Sequence, residues 1–357
     1  MKRQIRLLRF NAVPLLLVLS APLLSLAAGR GNPEDVRKTK LINRSYSVTA
    51  EDKLQIDNQF GDVTVSTWDQ NKITVDIEIG ARARTEEKAQ DILNQIDVRE
   101  DKGDHLYAFK TKVGEIRSQN GSRHDGGDGD NRTFYIDYVI HMPAGNPLDL
   151  HNDFGHTDIP NFTGHVNLTS KYGSLVAGNL ASVGAIDVEF GRATIGDITN
   201  GKVVFQYNSS SRIGKVNGSV RIISEFSSRV QINVGDVKDL TINESYSGIR
   251  MVVDKNVSAQ INIHTNFGEF RNESDFTIKE QHEGDDDTGP KFDRDYSGTM
   301  NDGKAQIKVK SEFGSLRLTT FGESDNDNDN HYRNRQKNKD KDKDKDKEKD
   351  KSEESVS

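Results

Sequence analysis

Three histidines, His151, His156 and His165, fall within the fifteen-residue segment HNDFGHTDIPNFTGH. Three imidazoles are enough to hold zinc when their side chains converge. Here His151 and His156 flank an aromatic-glycine step on opposite sides, and no period places His165 beside them. They read as surface histidines. Two acidic loops raise calcium instead: HDGGDGDN, with Asp125, Asp128 and Asp130, and GDDDTG, with Asp285, Asp286 and Asp287. Neither has the twelve-residue spacing of a helix-loop-helix calcium site, and one near-match to the calcium nonapeptide does not bind without stacked copies. Both read as plain polar loops, with weak calcium binding the alternative, and no cofactor is expected. A third chemistry needs paired carboxylates. Asp153, Glu189, Glu225 and Glu312 each precede a phenylalanine, and two carboxylates at a suitable separation can hydrolyse a glycosidic bond. By alternation these four point outward, where they read as a solvated row that opposes edge stacking. With no nucleophile elbow, phosphate loop or dinucleotide fingerprint, the expectation is no catalytic residues and no enzyme.

The elements that carry these residues are set by an internal period. The aromatics Phe154, Tyr172, Phe190, Tyr207, Phe226, Tyr246 and Phe267 recur at intervals of 18, 18, 17, 19, 20 and 21 residues, each followed by Gly, Ser or Asn. Phe60 in NQFGDVTV and Phe313 in SEFGSLRL share the pattern outside the run. Apolar pairs such as Leu148/Leu150, Val220/Ile222 and Ile307/Val309 stand six and four positions before most of the aromatics. Phe190 and Tyr207 depart, their pairs Ile186/Val188 and Val203/Phe205 lying two residues closer. Apolar residues tend to return three and five positions after the ring.

Even offsets in an extended chain place side chains on one face. The aromatics are therefore expected to point inward with the aliphatics, as does the intervening position two before each ring. That position is small and polar in Asn58, Asn152, Ser170, Ser224, Thr265 and Ser311, and Glu244 is its exception. One turn of such a chain is a strand, a bend, a second strand and a loop. A single turn cannot bury its apolar row, whereas stacked turns bury it continuously. The expected fold is mainly β, a β-solenoid in which equivalent side chains stack. An antiparallel sandwich is the competing reading, but it has no need to keep an aromatic in step over seven repeats. On this reading, truncating an inward ring such as Phe226 to alanine costs roughly 3–5 kcal/mol.

Between Phe60 and Phe154 the period breaks. ITVDIEI alternates as a strand, TEEKAQDILNQI predicts a helix capped by Thr85, and HLYAFKTKV and TFYIDYVIHMP predict further strands. This block reads as a small α+β cap on one end of the stack, covering strand edges that would otherwise be open. A polar insertion over 277–302 reads as a protruding loop, and Tyr296 is excluded from the repeat because it lacks the apolar pair. The expected division is a signal peptide at 1–28, N-terminal strands plus cap at 29–145, repeats at 146–321 and a tail at 322–357.

The termini address location. Lys2, Arg3, Arg6 and Arg9 precede the apolar run VPLLLVLSAPLLSLAA, and Ser25-Leu26-Ala27 offers a cleavage site before Ala28. No later run approaches membrane-spanning length. From Gly322 the chain becomes NDNDN and then KDKDKDKDKEKDK, a charge alternation without apolar residues that cannot form a core, and a disordered tail is expected. There are no cysteines among the 357 residues, which excludes disulfides, thiolate metal sites and a lipid-modified N-terminal cysteine. Formal net charge is −7 with both signs mixed, so nucleic acid is not an expected partner.

The stretch VIHMPAGNPLDLHNDFG, the recurring aromatic-glycine or aromatic-serine turns and the N-terminal IDNQFGDVTV resemble the bacterial "putative adhesin" domain family of envelope proteins. The resemblance covers roughly residues 41–321. It implies a right-handed β-solenoid, an exported location in the periplasm, on the outer surface or in the medium, and contact with glycans or with envelope or host surface proteins. It implies no catalytic residues. The function expected is thus a non-enzymatic, exported adhesin-like protein. The alternatives are a periplasmic partner in envelope signalling or maintenance and, third, a polysaccharide-acting enzyme.

Overall fold

The computed structural model describes residues 35–114, 133–281 and 292–321. The expected signal peptide, both Asp-rich loops and the charged tail lie outside the described residues. Among those described the protein is mainly β, with one α-helix, Glu86–Asn94.

Two parallel ladders dominate. The first runs through the strands that precede the aromatics. Lys53–Gln59 pairs with Leu148–Asp153, and Phe162–Lys171, Leu180–Glu189 and Ile198–Gln206 follow, all parallel. The second runs through the strands that follow the aromatics, as in Ser174–Ala177 between His156–Ile159 and Arg192–Ile195. Two longer strands, Ser210–Glu225 and Val230–Ser245, belong to both ladders. Register follows the sequence period, for example Leu168 opposite Leu150 and Ile186.

The alternation does what the sequence requires up to the aromatic. Leu148, Leu150 and Asn152 are buried while their neighbours are partly exposed. Inward residues of both ladders, such as Leu168, Leu175, Ile186 and Ile195, join one continuous hydrophobic core. At roughly 25 cal/mol per Å² of apolar area removed from water, that shared core supplies the main driving force.

At the N-terminal end, Leu106–Val113 pairs parallel with Lys53–Gln59 and antiparallel with Ile96–Gly103. Phe134–Pro143 pairs parallel with Val63–Trp68 and antiparallel with Lys72–Ala83, which in turn pairs with Val36–Ser47. The helix starts where Thr85 Oγ1 accepts a hydrogen bond from the Lys88 amide at 3.3 Å, an N-cap satisfying one of the first-turn donors. It buries Ala89 and Leu93.

The C-terminal end differs from the sequence expectation in two ways. The insertion is not only a loop: Asp293–Met300 is a strand, antiparallel to Ala259–Asn266 and to Lys279–Gln281. It gives hydrogen-bond partners to a strand that ends the parallel ladder, the usual remedy for an open edge. The turns also do not stack in chain order. Ala305–Glu312 inserts between Val230–Ser245 and Ala259–Asn266, and Ser315–Thr320 inserts between Gly248–Val253 and Glu269–Glu273.

Candidate functional site: an exposed aromatic ladder

The repeated aromatics do not face the core. Phe154, Tyr172, Phe190, Tyr207, Phe226, Tyr246, Phe267 and Phe313 are each 43–53% exposed, which corrects their assignment as inward rungs. The cause lies in the backbone. All eight, and Phe60 with them, have φ between 49° and 66°, the left-handed region that L-residues rarely occupy. An extended chain carries position −2 inward and would carry position 0 inward as well. The left-handed residue breaks that alternation and turns its ring outward. Positions −2 and +3 both remain inside, as Ser170 and Leu175 show around Tyr172.

Once outside, the rings stack. From Phe60 the order is Phe154, Tyr172, Phe190, Tyr207, Phe226, Tyr246, Phe313 and Phe267, with centroids 4.7–5.1 Å apart and planes within 7° of parallel. Phe134 meets one end edge-on at 5.3 Å, and Phe292 covers the other at 4.5 Å. Nine rings at the ~4.8 Å strand spacing make a stripe roughly 40 Å long. Parallel rings separated by more than the ~3.5–4.0 Å contact distance have room for the slipped arrangement their quadrupoles prefer. Each inner ring is covered on both faces by its neighbours. The ladder therefore offers ring edges and, at every second rung from Tyr172 to Tyr246, a phenol. An open groove of about 970 Å³ runs beside it, lined on the polar side by Asp62, His156, Ser174 and Arg192.

The residue after each ring is set by crowding between turns. A Cβ on Gly173 would overlap the Gly155 carbonyl oxygen, and one on Gly191 would overlap that of Gly173. Where glycine gives way, the replacements are buried hydrogen-bonding residues. The Gly191 amide donates to Asn208 Oδ1 (3.0 Å), the Asn208 amide to Ser227 Oγ (3.1 Å), and the Ser227 amide to Ser247 Oγ (3.0 Å). A second polar column lies at the far bend, where the amides of Asn179, Asp197 and Lys215 donate to the side chains of Asn161, Asn179 and Asp197 at 2.7–2.8 Å. The eighteen-residue recurrence of Asn or Asp was its visible signal in the sequence. Phe134 and Phe292, which end the ring stack, carry no repeat signal.

Inside, the −2 column runs Asn58, Asn152, Ser170, Val188, Phe205, Ser224, Glu244, Ser311 and Thr265 in register. Its polar members lie where the sequence expects them, and the two departures are filled by Val188 and Phe205. Asn58 Nδ2 donates to Asn152 Oδ1 (3.1 Å) and to the Ile136 carbonyl (3.0 Å), and Thr111 Oγ1 donates to Asn58 Oδ1 (3.0 Å). Glu244 is the exception in chemistry as well. Its carboxyl is buried, accepts from the Ser247 amide at 2.8 Å and is hydrogen-bonded by Ser311 Oγ. Burial pushes its pKa up, and the hydrogen bonds from Ser311 and Ser247 act the other way.

The residues singled out for chemistry are not brought together. His151 Nε2 lies 2.9 Å from Asp153 Oδ1, His156 Nδ1 lies 2.7 Å from Ser174 Oγ, and His165 Nδ1 lies 3.4 Å from Ser182 Oγ. Each histidine has its own separate partner. The acidic row is interrupted: Lys171 stands between Asp153 and Glu189, Gln206 between Glu189 and Glu225, and Ser245 between Glu225 and Glu312. Lys171 Nζ reaches Glu189 at 2.9 Å and Gln206 Nε2 reaches Glu225 at 2.7 Å. Neighbouring rungs thus never place two of these carboxylates side by side.

No family model and no curated protein matches the chain. Several of its structural neighbours are bacterial proteins described as putative adhesins or cell adhesion proteins. A "putative adhesin" from Bacteroides fragilis is 12% identical with a TM-score of 0.37, over 79% of this chain and 97% of that one. A "putative cell adhesion protein" from Clostridium sporogenes is 11% identical with a TM-score of 0.27, over 79% and 100%. A "putative adhesin" from Parabacteroides merdae is 9% identical with a TM-score of 0.30, over 78% and 96%. At TM-scores this low the likeness carries no further weight.

Proposed function

We propose that the protein is a non-enzymatic, exported cell-envelope protein of adhesin type, a β-solenoid whose stacked turns present an extended binding surface. The observation that supports this reading most is the aromatic ladder. Monomeric soluble proteins rarely leave large contiguous apolar patches in water, and a patch rimmed by polar residues marks an interaction surface. Here nine rings are held outward by a backbone conformation that costs about 1–2 kcal/mol per residue, a large outlay for a surface with no partner.

The stacking also constrains the partner. Sugars that pack on proteins by laying a ring face on an aromatic face find no inner face available. A partner must lie along the ring edges and the phenols of Tyr172, Tyr207 and Tyr246, which favours an extended chain with its own repeat. A rigid stack suits such a partner, because every column repeats at the strand spacing.

Protease shaving of intact cells carrying a C-terminal epitope tests the envelope reading, with a periplasmic protein as control. Loss of the epitope while the control survives is the expected result. Protection until the outer membrane is opened would replace the adhesin role with a periplasmic one.

A further inference from the structure

The second ladder carries a charge column that the sequence order conceals. Its outward position four or five residues after each ring runs Thr194, Arg212, Gln231, Arg250, Arg317 and Arg271 on successive strands in register. These residues are 18, 19, 19, 67 and 46 positions apart in the chain. The first four follow chain order, and the inserted last turn places Arg317 between Arg250 and Arg271. Flanking buried residues fix their direction: Ile249 and Met251 point into the core on either side of Arg250, as Leu316 and Leu318 do beside Arg317. The column's N-terminal continuation, Asp158 and Val176, carries no positive charge, so the cationic stretch is confined to one half of the ladder. Arg212 and Arg250 have partners of their own, and among the described residues Glu269 lies 2.8 Å from Arg271 and Glu273 lies 3.4 Å from Arg317. Both pairs are exposed, and pairs of that kind contribute little and exchange readily for a competing anion.

Building on the surface-binding reading above, we infer that this arginine column binds a linear acidic polysaccharide, one carboxylate per sugar, laid across the strands of the second ladder. Guanidinium forks match carboxylates in a planar, two-point geometry that lysine cannot copy. Strands stand ~4.8 Å apart, a pitch comparable to the length of one sugar in an extended polyuronate, so successive carboxylates meet successive rungs. A nucleic acid fits less well. Single strands are held by aromatic platforms interleaved with the charges, and the positions flanking this column are Gly248, Ser315 and Glu269 rather than aromatics. Duplex DNA presents a charge every ~1.7 Å of its axis, which does not match the rungs. The chain's net charge of −7 makes a general attraction to polyanions no explanation.

The test is calorimetric binding of the purified protein to polygalacturonate, to dextran as the neutral control and to a single-stranded oligonucleotide, at several salt concentrations. An R271Q/R317Q variant removes two exposed rungs. A K202Q/R221Q variant removes the same charge from adjacent outward positions of the first ladder. The expected result is binding to polygalacturonate but not dextran, weakening linearly in log affinity with log salt. R271Q/R317Q should bind roughly tenfold more weakly and K202Q/R221Q within about twofold of the parent. Equal losses in the two variants, no binding to polygalacturonate, or tighter binding to the oligonucleotide would each overturn the inference. Failure of the envelope reading would appear in the shaving experiment and not in this one.

Discussion

Tyr172 and Phe190, eighteen residues apart in the chain, lie ring on ring with centroids 4.8 Å apart and planes 2° from parallel. Both residues are left-handed, with φ of 54° and 53°. The pairing sets two energies against each other at every rung. Offset aromatic pairs gain ~0.5–1.5 kcal/mol beyond their buried area, while a Cβ in the left-handed region costs about 1–2 kcal/mol. Nine rings share eight such contacts, so stacking offsets part of the strain at each rung without exceeding it, and removing one inner ring loses two contacts.

That balance makes a ranking testable at Phe226. Phe226→Ala keeps the strained Cβ and loses both stacking partners, Tyr207 and Tyr246. It should cost about 1–3 kcal/mol, less than the loss of a fully buried ring. Phe226→Gly loses the same contacts but relaxes the backbone, so it should melt at or above the alanine variant. An alanine variant that melts higher than the glycine one would show that the left-handed conformation is not a source of strain.

Glu244 predicts a pH dependence. Its folded pKa lies above its usual value of 4.5 because burial disfavours the charged form. A raised acid is a stabilising group only while protonated: its contribution is complete below pH 4.5 and is lost as pH climbs through the folded value. Glu244→Gln keeps an acceptor for the Ser247 amide and stays neutral throughout. Its unfolding midpoint should match the parent near pH 4 and exceed it at pH 7. A denaturation series in which the two stay equally spaced at all pH values would contradict this.

Crowding along the glycine column is tested by Gly173→Ala, whose new methyl would overlap the Gly155 carbonyl oxygen. Two backbones would have to separate, and a loss above about 2 kcal/mol is expected from chemical denaturation. Val176→Thr, at an exposed position on the following strand, should stay within about 0.5 kcal/mol. A Gly173→Ala variant as stable as the parent would mean the turns are not packed this closely.

The polar column at the far bend is read out by hydrogen exchange. Asn179→Ala removes the acceptor for the Asp197 amide, a net loss of about 1 kcal/mol. Exchange at Asp197 should accelerate while the amide of Gly178, bonded to the Ile159 carbonyl, keeps its protection. Uniform acceleration across the turn would point to global destabilisation instead.

Much of this architecture was legible before any coordinates. The interval between aromatics gave the register of the ladders, because stacked strands need the same number of residues per turn, and Leu150, Leu168 and Ile186 are opposite one another for that reason. The buried polar column was legible too, since Asn58, Asn152 and Ser170 interrupt otherwise aliphatic offsets. The direction of the rings was not. Parity arguments assume an extended backbone at every residue, and a left-handed Phe or Tyr has no composition signal, because glycine and asparagine are the usual occupants of that region. The placement of Phe313 between Tyr246 and Phe267 was hidden for another reason: its strand must skip a turn and a hairpin to reach its partners. With it was hidden the arginine column, whose members are scattered through the sequence.

The inserted last turn has a consequence for how the chain reaches its final state. Most stacked-repeat proteins grow by adding each unit to the one just made, so that folding can follow synthesis or secretion from one end to the other. Here the strand Ala259–Asn266 has no parallel neighbour until Ala305–Glu312 arrives between it and Val230–Ser245. Closing the long-range pairs Leu240–Ile307 and Ile249–Leu316 requires loops far longer than one repeat, the kind of non-local step that slows folding. Completion therefore waits for nearly the whole polypeptide to emerge. A chain still being synthesised holds its final rungs open until Ser315–Thr320 has emerged, and a fragment that stops short of that strand cannot close its own stack.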